Sequence, residues 1–137
     1  MKKINAKKGE FVNLINGLFS VQDLKGKEFG MTVSKNIRIL QTNLKEMEGV
    51  GKPSNEFLKL AEEVNKIANE NASDSQERID KLEKENKELV DIRQKQMDKL
   101  NKMMDEEMEM ELYLISEEKL PEDITAKQIT NIDKILK

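Results

Sequence analysis

The residues best placed to do chemistry are acids. Asp105-Glu106-Glu107-Met108-Glu109-Met110-Glu111 is the densest run of them, and carboxylate oxygens at that density could hold a hard cation such as Mg²⁺ or Ca²⁺. The run lacks the loop glycine and alternating Asp/Asn ligands of a calcium hand, and a solvated strand face explains it as well. Gly49-Val50-Gly51 followed by Lys52 offers glycines before a lysine. It follows a helical pattern and lacks the Gly-Lys-Ser/Thr continuation of a phosphate loop, so it reads as a helix stop. Ser20, Ser34, Ser54, Ser73, Ser75 and Ser116 have no histidine to activate them, because the chain contains no His; it also contains no Cys and no Trp. Disulfide scaffolds, cysteine or histidine nucleophile–base pairs and thiolate or imidazole metal sites are thereby excluded. No pair of acids marks an apolar pocket of the kind glycoside chemistry requires. The expectation is a protein that is not an enzyme, with no catalytic residue, metal or cofactor.

The 137 residues match the length of one domain. Lys and Arg total 24 against 27 Asp and Glu, a net charge of −3, so no one-signed field dominates. Only Arg38, Arg78 and Arg93 are arginines, and planar bidentate recognition of phosphate or guanine favours Arg over Lys. Nucleic acid is therefore a disfavoured partner, and Lys2, Lys3, Lys7 and Lys8 are better explained by pairing with the acidic run. The apolar stretch from Phe11 to Val21 is interrupted by Asn13 and Asn16 and follows Glu10. It reads as an amphipathic helix and not as a signal peptide or membrane span. A soluble, cytoplasmic protein with no membrane partner is expected.

These residues need elements to position them. Phe11, Leu14, Ile15, Leu18 and Phe19 predict a helix over about 8–25. Val33, Ile37, Leu40, Leu44 and Met47 form a heptad seam over 27–48, closed by a left-handed glycine at 49–51. Phe57, Leu60, Ala61, Val64, Ile67 and Ala68 predict a helix over 54–69, and the polar run 69–75 is a hairpin tip. A long helix over 75–105 opens with a capping box at Asp74 and Glu77 and carries five acid–lysine pairs four apart: Glu77/Lys81, Asp80/Lys84, Glu83/Lys87, Asp91/Lys95 and Asp98/Lys102. Asn86, Arg93 and Gln96 fall on its seam where apolar residues belong, which is where a partner docks or register is set. From Glu107 the period changes to two, predicting a strand over 108–116. Its best partner is the lysine-rich extended segment 2–5, by charge; pairing with a second copy or a target is the alternative. Thr125 caps a last helix over 125–136 with Ile129, Ile132 and Ile135 on its apolar face.

The expected fold is mainly α: one domain over 1–137, a helical bundle with a long α-hairpin, a small two-stranded antiparallel element and a C-terminal helix. Met97, Met104, Met108 and Met110 crowd one stretch, as in adaptable binding surfaces and equally in core filler. Candidate protein-binding residues are Asn86, Arg93, Gln96, Met97, Met104, Met108, Met110, Leu112 and Leu114. A homodimer is one outcome such surfaces permit. The competing class is a small-molecule or nucleotide-sequestering protein with a pocket between hairpin and sheet.

Several segments together carry a resemblance: Asp23-Leu24-Lys25-Gly26, Val33-Ser34-Lys35-Asn36, Lys52-Pro53-Ser54-Asn55-Glu56-Phe57, and the close from Glu106 to Ile115 with Leu120-Pro121-Glu122-Asp123-Ile124-Thr125-Ala126-Lys127-Gln128. The chain resembles a group of small, uncharacterised tailed-bacteriophage proteins that share a helical hairpin and an acidic strand followed by a Leu-Pro-Glu-Asp-Ile-Thr turn. Many of them bear a longer insert at the hairpin tip, where this chain has only the short 69–75 run. The resemblance implies a phage-encoded, protein-binding role, as a virion-assembly accessory or as an inhibitor of a host defence protein, and no catalytic residues to transfer.

Overall fold

A computed structural model describes residues 1–137. The protein is mainly α, 71% helical, with six helices and one two-stranded antiparallel sheet. In chain order the elements are β1 (Lys2–Lys7), α1 (Lys8–Val21), α2 (Lys27–Gly51), α3 (Asn55–Glu70), α4 (Ser75–Glu85), α5 (Lys87–Asp105), β2 (Glu107–Leu112) and α6 (Ala126–Asn131). Short 3₁₀ turns occupy Glu117–Lys119 and Asp133–Ile135. The chain divides into two compact units, a larger one of Met1–Met47 with Lys102–Lys137 and a smaller one of Glu48–Asn101.

In the larger unit β1 pairs antiparallel with β2, the partner that charge selects. Lys3 lies opposite Glu111, Asn5 opposite Glu109 and Lys7 opposite Glu107, while Ile4 meets Met110 and Ala6 meets Met108. The two-residue period thus sends charge to one face and apolar side chains to the other. An ion pair between Lys8 and Glu106 at 2.8 Å extends the alignment. The core is built by α1 (Phe11, Leu14, Leu18, Val21), α2 (Phe29, Val33, Leu40), β2 (Leu112) and the tail (Ile132, Ile135), all at or near zero exposure. Helix α1 lies so close to α6 that a Cβ on Gly17 would sit 2.7 Å from the Asn131 carbonyl oxygen. Glu10 accepts the Lys7 backbone N–H at 2.8 Å and faces Lys134 at 3.5 Å; that hydrogen bond first, and the lysine charge second, hold its carboxyl below the usual range.

Several boundaries differ from expectation. Helix α1 ends at Val21 and not near 25, because the Leu24 N–H turns back to the Val21 carbonyl and Gly26 takes φ +134°. Strand β2 ends at Leu112 and not at 116. The Asn36 side chain captures the Tyr113 backbone, and Ile115 bridges in parallel to Leu136. The C-terminal helix shrinks to α6 plus a 3₁₀ turn. Thr125 and Gln128 form the capping box at its start.

In the smaller unit, Ser54 caps α3 by accepting the Phe57 N–H at 3.2 Å, and Asn71 ends it in the left-handed conformation at φ 49°. Helix α2 ends at Gly51, within the expected 49–51 stop, but neither glycine there is left-handed; Pro53 disfavours a helical Lys52 beyond it. No capping box forms at Asp74, whose backbone sits at φ −96°, ψ 3° and not in the extended region; the neighbouring Ser75 hydroxyl accepts the Ala72 N–H at 3.0 Å. An exposed pair, Arg78 with Glu70, joins α4 to α3, and Glu70 raises the arginine's pKa. Exposed pairs of this kind add little stability. The acid–lysine pairs expected along 75–105 do not close to ion pairs; Gln76 and Gln94 instead reach Asp80 and Asp98 at 2.9 and 3.0 Å. The single helix expected there is two, interrupted at Asn86.

Candidate functional site

The smaller unit covers its apolar stripes only in part. Of 19 buried apolar residues in the chain, 18 belong to the larger unit and only Leu60 to the smaller. The stripes of α3 and α4/α5 meet, yet Phe57, Val64, Ile79, Leu82, Leu89 and Leu100 remain half-buried. Leu58 and Ile92 are 50% and 48% exposed. Between α3 and α4/α5 lies an open groove of about 230 Å³ lined by Phe57, Leu60, Ala61, Val64, Glu83 and Val90, with Asn65 beside them. Glu83 is its one charged group. A groove of this make-up accepts an apolar side chain; it gathers no acid–base pair for proton transfer. No three acidic side chains converge anywhere in the chain as cation ligands would.

Three of the polar residues expected on the seam make contacts within the unit. Asn86 donates its amide to the Leu82 carbonyl at 2.9 Å, while its backbone N–H is shared between Leu82 and Glu83 at 3.2 Å each. Its own backbone leaves the helical region at φ −114°, ψ 30°, as expected when a short amide competes for the helix's own bonds. Arg93 donates to the Gly51 carbonyl at 2.9 Å, an end carbonyl of α2, and stands 5.7 Å over the Phe57 ring. A cation at a helix C-terminus satisfies both the orphan acceptor and the dipole. Gln96 accepts from the same guanidinium at 3.4 Å.

The methionine and leucine candidates divide. Met97 is half-buried on α5, and Met104, Met108 and Leu114 are half-buried in the larger unit. Met110 and Leu112 are corrected from docking residues to core residues, at 5% and 0% exposure, because the inward face of β2 is the one that the alternation buries. Sequence reasoning passed over Leu58 and Ile92. Both are apolar residues on the polar side of their helices, Leu58 off the 57/60/61/64 stripe and Ile92 between Asp91 and Arg93, and that misplacement was a usable signal. No helix is long and apolar enough to cross a membrane. No protein-family profile matches the chain, and neither a curated protein nor a solved structure does.

Proposed function

We propose that this protein is a non-enzymatic, phage-encoded protein-binding module that works in the host cytoplasm, and that the helical smaller unit carries its docking surface. The observation behind this reading is the contrast in burial: 18 buried apolar residues in one unit against Leu60 alone in the other. Helices whose stripes are only half covered gain stability by completing that burial against a partner, and an amphipathic helix laid along the α3 and α4/α5 groove is the mode that suits their spacing. The phage setting rests on the resemblance of the Glu106–Gln128 segment. Within it two roles compete, virion-assembly accessory and inhibitor of a host defence protein.

The test compares tagged native protein with an Ala61→Lys/Asn65→Lys variant, altered at two groove-lining positions one turn apart on α3, as bait in phage-infected and uninfected lysates. Asn65 is exposed and Ala61 half-buried, and lysine is a good helix former, so the variant is expected to keep native thermal stability. A phage structural protein held by the native bait and lost by the variant supports the assembly role; one host protein lost in the same way from uninfected lysate supports the inhibitory role. Identical captures by both baits, or a small molecule carried tightly by the pure protein, would overturn the proposal.

A further inference from the structure

The larger unit carries a second surface, independent of the helical one. In an antiparallel pair, residues alternate between those that exchange hydrogen bonds with the partner strand and those whose N–H and C=O point away from it. The Lys8 N–H bonds to the Glu106 carbonyl at 2.9 Å, which fixes the alternation in the β1–β2 register. Met108, Met110 and Leu112 use their backbone groups on β1, whereas Glu107, Glu109 and Glu111 turn theirs to the outer edge of β2. Tyr113 is next in that outward series, and there the Asn36 amide supplies what a third strand would. Its Oδ1 accepts the Tyr113 N–H and its Nδ2 donates to the Tyr113 carbonyl, both at 2.9 Å. No backbone or side-chain group of the chain does this for Glu107, Glu109 or Glu111, all three of which are exposed. The outer edge of β1 is treated differently: Glu10 takes the Lys7 N–H, and lysines blunt the remainder.

We infer that the outer edge of β2 is a docking edge for an extended segment of a partner protein that carries Lys or Arg at every second residue. The charge logic is already enacted on the other side of the same strand, where Lys3 and Lys7 of β1 stand opposite Glu111 and Glu107. A strand added on the outer edge meets the same three carboxylates in the same spacing, since side chains of paired strands align across the sheet. Backbone bonds would supply affinity and the acidic face would select the sequence, the division of labour seen when peptides extend sheets. Asn36 sets the limit of the site by closing the edge at Tyr113.

The probe is a synthetic nonapeptide with Lys at alternate positions and Thr or Val between them, titrated into the full chain and followed by backbone amide NMR and fluorescence anisotropy. Saturable binding is expected, with the Glu107, Glu109 and Glu111 amides shifted and slowed in hydrogen exchange, and no binding by the matching Glu peptide. Glu109→Lys should weaken binding about tenfold, and N-methylation of the lysine peptide's backbone should abolish it while leaving its charge intact. Binding that survives N-methylation, or that maps away from these three amides, overturns the inference. So does self-association of the native chain that Lys3→Glu dissolves, since the occupant would then be a second copy's β1.

Discussion

Asn36 has no exposure, lies on the same face of α2 as Val33, Ile37 and Leu40, and spends its whole amide on the backbone of Tyr113. A buried amide that satisfies a donor and an acceptor at once stabilises mainly by what its loss would orphan. Asn36→Leu fills the space but leaves the Tyr113 N–H and C=O without partners, at about 1–3 kcal/mol for each orphaned group. Urea unfolding should show that loss. Asn36→Asp should cost more at neutral pH, where an anionic oxygen would face the Tyr113 carbonyl, and recover in part as acid protonates it. Nothing local in the sequence marks this residue, because its partner lies 77 positions away. Arg93 was half legible. Its place on an apolar seam announced an unusual role, but only the folded chain reveals that the role is to close α2 at Gly51.

At the scale of elements, local chemistry was read well wherever the signal was itself local. The change of period at Glu107 located β2, the opposed charges chose β1 as its mate, and Thr125 caps the helix it was expected to cap. An end decided by a distant partner was not readable, since β2 stops where Asn36 intervenes; the end of α2 is local, and its last residue, Gly51, lies within the expected 49–51 stop. The interruption at Asn86 has a cause within one turn and yet was missed, since an amide on a helix seam equally suits a docking or register position. Asn86→Leu removes the amide that competes for the Leu82 carbonyl and restores helix propensity. It should join α4 to α5, raise far-ultraviolet helical ellipticity and add about 0.5 kcal/mol of stability. Unchanged ellipticity would show that packing, and not the asparagine, breaks the helix.

For the whole molecule, the unequal division of buried side chains should produce unequal resistance to unfolding. Hydrophobic burial is the main favourable term, and the smaller unit contributes Leu60 alone to the buried apolar set. Native-state hydrogen exchange is expected to show slow amides in α1, α2 up to Met47, and the sheet, with faster exchange across α3, α4 and the first turns of α5. Equal protection throughout would contradict this. The reading of one domain came from length, and the apolar spacing in 57–68 looks no poorer than that in 11–21. Periodicity reports which side of a helix is apolar, whereas burial depends on how many other elements arrive to cover it. One consequence is optical. The chain has a single tyrosine and no tryptophan, and Tyr113 is held at its backbone by Asn36 and overlaid by Lys35 at 5.0 Å. Intrinsic fluorescence is therefore a private channel for the larger unit, and the smaller unit can melt in the dark, visible to circular dichroism while the emission stays unmoved.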